Sequence, residues 1–589
     1  METRAIVPTK KLEPIAVVTR TLDDSVAWAQ LAQRWLINIT AIRLLICLLL
    51  TVTGQQIGAQ THGSGQLYGP QISTIVNPRA LSHTPTDLPS YLQTPNLAPD
   101  AKFRAQAQSL DAAARQPSRA LSATVPAAVP SPLPSASFQA FPGCCTFPPN
   151  EQAAAGHAHL LVTNNSNLIR IQDKAGKQVI PDLSGHEFWQ SVGVPGSDPR
   201  AIYDPFARRW IMVMRSADGS VAATAALLLA VSQGPDPTGY WYLHRIKADP
   251  RSISAVDFPK LGFSSKWLVI SASIIPMGEG IVPPPQENIY VFDKTALYAG
   301  LAQYQLFEEP TLYPAATPVM TYDIKQSDLY IVQTWNNNNQ GNGVLRVSTI
   351  SEINGFASLS LGSAFPATAN PWSPFSITAP QLGSTIRLRP DSFHVSSAVF
   401  RNGYLWCTHS VALPAEGWPT HTAIQWWQFS ATGRVLQQGR IDDGTGTHSF
   451  DYASIAVNKN NDILIGYSIF GDDIYPGAGY SLRKASDAKA TMRAPATLKA
   501  GTGPYGHARW GDYSSTVIDP ANDLDMWTLQ QYSDTGGTDN SLSGWALWWG
   551  KVSPGANSGI CLRNNIALDS STAVPSRTPS GSLKRFPNR

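Results

Sequence analysis

Acidic side chains recur at the start of strand-like apolar segments in the middle of this chain of 589 residues. The repeated pattern is an aspartate, an apolar segment, a turn and a second apolar segment. It begins at Asp198, Asp257, Asp451 and Asp512, and His394 stands in the same place in a weaker copy. Carboxylate and imidazole groups brought to one place could bind a hard cation such as Ca²⁺, which takes roughly six to eight oxygen ligands. These five residues form a hypothetical metal site, with Ca²⁺ as the candidate cofactor.

Two other interpretations of these residues stay open. An aspartate that opens a strand commonly accepts hydrogen bonds from the backbone of its own loop, which would make the repeat purely structural. Alternatively, the aspartates could belong to a glycoside hydrolase, which needs a general acid and a nucleophile or base; in sialidases the nucleophile is a tyrosine. The nearby side chains that could then bind a ligand are Arg200, Tyr203, Tyr452, Arg509 and Tyr513.

Motifs that would identify a reaction directly are absent from the sequence. It has no Gly-x-Ser-x-Gly elbow, no His-Glu-x-x-His zinc motif and no Ser-x-Asp-x-Gly-x-x-Trp repeat of the sialidase type. We therefore expect a binding or surface-interaction module, with a glycan-active hydrolase as the alternative.

The repeat also indicates which elements must position these side chains. Copies spaced by roughly 50 to 75 residues, each with paired apolar strands, are typical of a β-propeller, whose blades have four strands around a central channel. The copies predict an all-β fold with a single propeller of seven blades over residues 141–565, beginning near Asn150, Asp198, Asp257, Thr317, His394, Asp451 and Asp512. Six or eight blades stay open, because 354–390 lacks a clear copy.

Three segments together resemble a family of exported bacterial β-propeller proteins that is mostly uncharacterised. They are a stretch that starts at Pro148-Pro-Asn-Glu151, the segment Asp198-Pro-Arg-Ala-Ile-Tyr-Asp204 followed by Arg209-Trp210, and Arg509-Trp-Gly-Asp-Tyr-Ser-Ser515. The resemblance covers most of 145–552. It implies the propeller fold and export, and it brings no known reaction with it.

Composition and the terminal segments indicate a protein that works outside the cytoplasm. Charged residues make up 14% of the chain, and the net charge of +3 gives no basic surface for nucleic acid. Residues 1–59 contain the apolar run 44–52 and are predicted to be a signal peptide or an uncleaved signal anchor. Residues 60–140, rich in Ala, Pro and Ser, are predicted to be a disordered spacer, and 566–589 a disordered tail.

Export would place the cysteines in an oxidising compartment. A disulfide from Cys144 or Cys145 to Cys561 would join the two ends of the propeller, although the sequence does not determine the connectivity. We expect a secreted, cell-surface or periplasmic monomer that binds an extracellular glycan or protein and meets the membrane only through an uncleaved N-terminal segment.

Overall fold

β-Strands form nearly all of the regular structure, as the all-β prediction requires. The computed structural model describes residues 62–81, 129–143, 146–219, 221–277, 283–313, 316–335, 341–367, 370–391, 393–535 and 544–555. Within these ranges the helices are α1 (Gly185–Trp189), α2 (Lys294–Tyr298) and the 3-10 turns Pro78–Ala80 and Pro310–Leu312. None of these helices is long and apolar enough to cross a membrane.

Four strands precede the repeats: β1 (His62–Ser64), β2 (Gln66–Tyr68), β3 (Ile72–Val76) and β4 (Ala136–Phe141). Antiparallel meanders follow. The first is β5 (Gln152–Ala155), β6 (His159–Thr163), β7 (Leu168–Asp173) and β8 (Leu183–Ser184). The second is β9 (Arg200–Asp204), β10 (Arg209–Arg215), β11 (Ala226–Ser232) and β12 (Trp241–Lys247). The third is β13 (Ser254–Phe263), β14 (Trp267–Pro276), β15 (Gln286–Asp293) and β16 (Tyr304–Glu309).

The middle of the chain is less regular. Its strands are β17 (Thr317–Pro318), β18 (Met320–Thr321), β19 (Leu329–Thr334), β20 (Val344–Ile353), β21 (Phe356–Ser360) and β22 (Ala364–Pro366). Of these, β17, β19, β20 and β21 form a meander, and β22 pairs with β20. The hairpin of β23 (Ala379–Gln381) and β24 (Ser384–Leu388) comes next. This region is the one for which the sequence left the blade count open.

Three further meanders complete the fold. They are β25 (Ser397–Arg401), β26 (Tyr404–Leu413), β27 (His421–Phe429) and β28 (Val435–Ile441); β29 (His448–Val457), β30 (Ile463–Gly471), β31 (Ile474–Arg483) and β32 (Ala496–Lys499); and β33 (Ser515–Ile518), β34 (Met526–Asp534) and β35 (Gly544–Val552).

The meanders are arranged as a β-propeller. Five sheets contain one meander each, and a ten-stranded sheet contains two, which are joined because β18 pairs in parallel with β13 and β25. The first strand of every meander contributes to the lining of one central cavity. Neighbouring blades pack through apolar faces, as where Leu227 and Leu229 of β11 share a core with Leu268 and Ile270 of β14. Because these side chains are fully buried, blade contacts supply much of the apolar burial.

The predicted spacer over 60–140 is wrong for the residues that the structure describes. Strands β1, β2 and β3 pair with the outer strands β21, β16 and β12 of three blades, and β4 pairs with β35 of the last blade. Backbone pairing at sheet edges orders these strands although their side chains are mostly polar or small. Residues 1–59 and 566–589 lie outside the described residues, as do Cys144, Cys145 and Cys561.

Candidate functional site

Asn150 joins two of the predicted site aspartates at one end of the inner strands. Asn150, Asp198 and Asp512 come shortly before β5, β9 and β33. Asn150 Nδ2 donates to Asp198 Oδ1 at 2.7 Å and to Asp512 Oδ2 at 2.8 Å. Residues 150 and 198 have φ of 42° and 58°, in the left-handed region where Asn and Asp are enriched. The backbone therefore turns here in a way that brings three blades to one hydrogen-bonded group.

Arg215 adds a third aspartate to this group. Its Nε lies 3.3 Å from Asp198 Oδ2 and 3.8 Å from Asp257 Oδ1. Asp257 does not precede its strand, as the sequence predicted, but lies inside β13 at a bulge between Asp257 and Lys260. A bulge redirects a side chain and bends the strand, and here the Asp257 carboxyl meets Asp198. We call Asp198, Asp257 and Asp512 the carboxylate cluster.

The three carboxyl groups of the cluster differ in exposure, and the pKa values of Asp257 and Asp512 are raised. The Asp198 side chain is 7% exposed, against 25% for Asp257 and 20% for Asp512. Burial, and then the charge of Asp198, raises the pKa of Asp257 to about 7, against the opposing effect of Arg215. Burial also raises the pKa of Asp512, while its ion pair with Arg509 opposes that rise. Asp257 therefore exchanges its proton near neutral pH.

Three polar atoms beside the cluster have no hydrogen-bond partner in the part of the chain that the structure describes. They are Asn150 Oδ1, Glu151 Oε2 and the Tyr513 hydroxyl, and the three residues are 1%, 1% and 9% exposed. Burial raises the pKa of Glu151 and of Tyr513 well above their usual values. Buried polar groups normally have partners, so an enclosed water molecule is the kind of partner that these atoms require.

The predicted ligand-binding residues separate into two places. Arg200 and Arg509 lie beside the cluster: the Arg200 guanidinium lies 3.2 Å from the centre of the Tyr513 ring, and Arg509 is ion-paired with Asp512. Tyr203 lies towards the other end of β9, where its hydroxyl is 3.0 Å from His157 Nδ1. Tyr203 is therefore not part of the same site.

Asp451, Tyr452 and His394 make their hydrogen bonds outside the cluster. Asp451 lies at a bulge inside β29 and accepts from Ser410 Oγ and from the Tyr452 backbone N–H. Burial raises the pKa of Asp451 to about 6. The Tyr452 hydroxyl donates to a backbone carbonyl. His394 Nδ1 lies 3.2 Å from Thr334 Oγ1, and burial lowers the pKa of His394 to about 4, so the ring is neutral at pH 7.

The five-residue metal hypothesis is therefore not supported. The cluster unites Asp198, Asp257 and Asp512, but Asp451 and His394 have other partners. Across the described ranges, no group of three or more His, Cys, Asp or Glu side chains is placed to hold a metal ion. Arg215, Arg509 and the Asn150 amide supply the positive charge and the donors that a cation would otherwise provide.

Sequence reasoning missed Glu151, Arg215 and Lys260 near this end of the cavity. Glu151 and Arg215 carry no recognisable signal, because their places depend on how the blades meet. Lys260 had one: a cation follows the aspartate in two adjacent copies, as Asp198-Pro-Arg200 and as Asp257-Phe-Pro-Lys260. The bulge takes up the extra residue of the second copy.

Comparison with known proteins adds little to the geometry. No protein-family model and no curated protein sequence matches the chain, so the resemblance to an exported propeller family stays a prediction. Solved structures match at low similarity. A Dyadobacter fermentans protein of unknown function is 9% identical, with a TM-score of 0.31, and the match covers 72% of this chain and 98% of that one.

Two enzymes match at the same level. A Penicillium chrysogenum α-L-arabinanase is 10% identical, with a TM-score of 0.33, over 72% of this chain and 99% of that one. A Trypanosoma rangeli sialidase is 8% identical, with a TM-score of 0.31, and the match covers 65% of this chain and 56% of that one. Similarity this weak carries no argument about this chain.

Proposed function

We propose that the carboxylate cluster is the active site of a hydrolase that cleaves glycosidic bonds. One observation carries the proposal. Asp257 and Asp512 are partly exposed, Arg215 connects Asp257 to the buried Asp198, and Asn150 connects Asp512 to it. Burial and the Asp198 charge raise the pKa of Asp257 to about 7. A carboxyl group that is still protonated near neutral pH is what a general acid requires.

The three carboxyl groups then have different roles. Asp257 donates a proton to the leaving oxygen. Asp512, paired with Arg509, is the second exposed carboxyl group and acts as base or nucleophile. Asp198 contacts no substrate; burial and, after it, the Asp198 charge keep the pKa of Asp257 high.

A glycan is the proposed substrate because polar and aromatic groups meet near the cluster. Phe147, three residues before Asn150, is 37% exposed and stacks on His507 with ring centroids 3.7 Å apart. Aromatic faces beside a few placed polar groups are typical of sites that bind small ligands. The partly exposed carboxyl groups of Asp257 and Asp512 can form hydrogen bonds with sugar hydroxyls.

The test is hydrolysis of a panel of chromogenic glycosides by the wild type and by Asp257→Asn and Asp512→Asn. We expect wild-type turnover to fall as the pH rises through about 7, because the acid form of Asp257 is needed. Asp257→Asn should lower kcat/KM roughly 10²- to 10⁴-fold while the protein stays folded. The control is Asp472→Asn, which replaces an exposed aspartate outside the cluster. Hydrolysis at an unchanged rate in Asp257→Asn would contradict the proposal.

A binding module without catalysis is the second candidate. The cluster is held by hydrogen bonds from Asn150 and by the ion pair of Arg215 with Asp198, and such internal contacts give a rigid, preorganised surface that suits recognition. Glycan arrays would separate the two functions: retention of a glycan by the wild type, with no turnover of any glycoside, would favour the binding module.

We further infer seven blades and an exported chain. Seven strands, β5, β9, β13, β17, β25, β29 and β33, contribute residues to the cavity lining, which supports seven blades. Export rests on the apolar run 44–52 alone. N-terminal sequencing of the protein recovered from cell envelope and medium would test it, because a cleaved signal removes the residues before about 60.

A further inference from the structure

The central cavity carries two cationic side chains on neighbouring blades. Arg200 of β9 and Lys260 of β13 both line it. The cavity has a volume of about 70 Å³, which is room for a few water molecules or a small ion but not for a sugar ring. Arg200 is 8% exposed. Charged groups are rarely buried without compensation, so this pair requires an explanation.

Neither cation is neutralised by an ion pair with a residue that the structure describes. Arg200 Nε donates to the Pro259 carbonyl at 2.7 Å. Lys260 Nζ donates to Thr317 Oγ1 at 3.0 Å and to the Val395 carbonyl at 3.4 Å. Besides these neutral acceptors, the Arg200 guanidinium lies 3.2 Å from the centre of the Tyr513 ring. None of these contacts supplies a negative charge to the cavity.

The surroundings of Lys260 include charges of both signs. Burial lowers the pKa of Lys260 to about 8, and the Arg200 charge acts in the same direction, while Glu287 and Asp391 oppose it. His394 also lies close enough for Lys260 to lower its pKa, and that ring is neutral at pH 7. The repulsion between Arg200 and Lys260 would be relieved by an anion placed between them.

Two hydroxyl groups on the cavity wall can add hydrogen bonds to such an anion. Ser515 Oγ accepts from the Ala153 backbone N–H at 2.9 Å, and Ser397 Oγ accepts from the Ile455 N–H at 3.3 Å. For neither serine does the described part of the chain supply an acceptor for the hydroxyl proton. Both serines line the cavity and can donate into it.

We propose that the central cavity binds a small free oxyanion, such as sulfate or phosphate, between Arg200 and Lys260, with hydrogen bonds from Ser397 and Ser515. The anion would tie the inner strands of four blades to one ligand and would thereby stabilise the ring. The proposal is independent of the glycosidase, because none of these four residues belongs to the carboxylate cluster.

Thermal melting of the full-length protein tests the site, with sodium sulfate titrated against sodium chloride at matched ionic strength. We expect sulfate to raise Tm at concentrations where chloride does not, because a ligand that binds only the folded state stabilises it. Lys260→Gln should weaken the apparent sulfate affinity about tenfold or more, since it removes a charge-assisted hydrogen bond. The matched control is Lys325→Gln, which removes the same charge from an exposed position. Equal effects of sulfate and chloride, or unchanged affinity in Lys260→Gln, would overturn the proposal.

A second measurement uses only the wild type, in case Lys260→Gln does not fold. Sulfate stays fully charged across the range, so its affinity should fall about tenfold from pH 6 to pH 9.5, as Lys260 loses its proton through a pKa of about 8. A flat profile would contradict the proposal.

The sulfate site and the proposed enzyme can fail separately. Asp257→Asn should bind sulfate as the wild type does, whatever its effect on hydrolysis, so a failure of the proposed enzyme can be told apart from a failure of the sulfate site. If glucose 6-sulfate competes with sulfate, the site accepts a sulfate group that is attached to a sugar, and the proposal of a free ion is overturned.

Discussion

At the scale of single residues, Asn150 allows two carboxyl groups to lie close together. Its amide donates to both Asp198 and Asp512, so the left-handed position needs a donor and not merely a small side chain. An aspartate would keep the size and the backbone tolerance but would replace the donor with a third negative charge.

We therefore expect Asn150→Asp to lower the free energy of unfolding by about 1 to 3 kcal/mol at pH 8. The loss should be smaller at pH 4.5, where the new carboxyl can be protonated and donate again. Urea unfolding at the two pH values measures both. Asn354→Asp is the matched control, because Asn354 also has a positive φ, of 53°, and is exposed. Equal losses at both pH values would show that charge repulsion is not the cause.

The raised pKa of Asp257 should also appear in the pH dependence of stability. The folded state holds this proton more tightly than the unfolded chain, so the stabilisation is complete below about pH 4 and is lost as the pH rises through about 7. Asp257→Asn has no such proton. Its stability relative to the wild type should therefore increase from pH 4 to pH 8, by no more than a few kcal/mol at about 1.4 kcal/mol per pKa unit. Urea unfolding across this range is the measurement, and no change in the difference would contradict it.

Part of this site could be predicted from the sequence. The repeated aspartates gave Asp198, Asp257 and Asp512, because equivalent positions of a repeat meet around one axis. The residues that contact these aspartates could not be predicted. Arg215, for example, lies at the end of β10 and reaches both Asp198 and Asp257 only when two blades pack together. The carboxylates alone indicate calcium, because the sequence does not show that Arg215, Arg509 and Asn150 lie beside them.

At the scale of elements, the fully buried strands within the blades were predictable and the added outer strands were not. Apolar runs such as Leu227–Val231 are buried throughout and identify a central strand. Strands β1, β2 and β3 join their sheets by backbone pairing, with exposed side chains such as Leu67 and Ile75. A segment that needs few apolar contacts resembles a disordered spacer in composition.

These outer strands protect sheet edges, and their removal should have a measurable cost. A chain that begins at Val129 lacks β1, β2 and β3 but keeps β4. We expect it to fold with a lower Tm and to aggregate more readily, because the edges of β12, β16 and β21 become exposed. Differential scanning fluorimetry and light scattering measure the two effects. A truncated chain with unchanged Tm and solubility would show that the added strands contribute nothing.

At the scale of the whole molecule, β4 joins the two ends of the propeller. It is the outermost strand of the sheet β33, β34, β35, β4, although it precedes all the repeats in the chain. Phe141 pairs with Leu547, and Phe138 with Trp549. The first and last blades also meet where Asn150 donates to Asp512 and where the Ala153 N–H donates to Ser515 Oγ. Strand β4 is therefore a second connection between the two ends, and its loss should weaken the cooperativity of the repeat array.

A chain that begins at Gly143 tests this closure against the chain that begins at Val129, since the pair differs only by β4 and the short segment around it. We expect the shorter chain to unfold over a broader range of urea, with different midpoints by fluorescence and circular dichroism, because the last blade can open independently. The longer chain should keep one coincident transition. Replacing Gln139 with proline in the longer chain removes a backbone donor next to the bulge where β4 pairs with Trp548, and should move it towards the same behaviour. A sharp, coincident transition in the chain without β4 would mean that blade packing alone holds the ring closed.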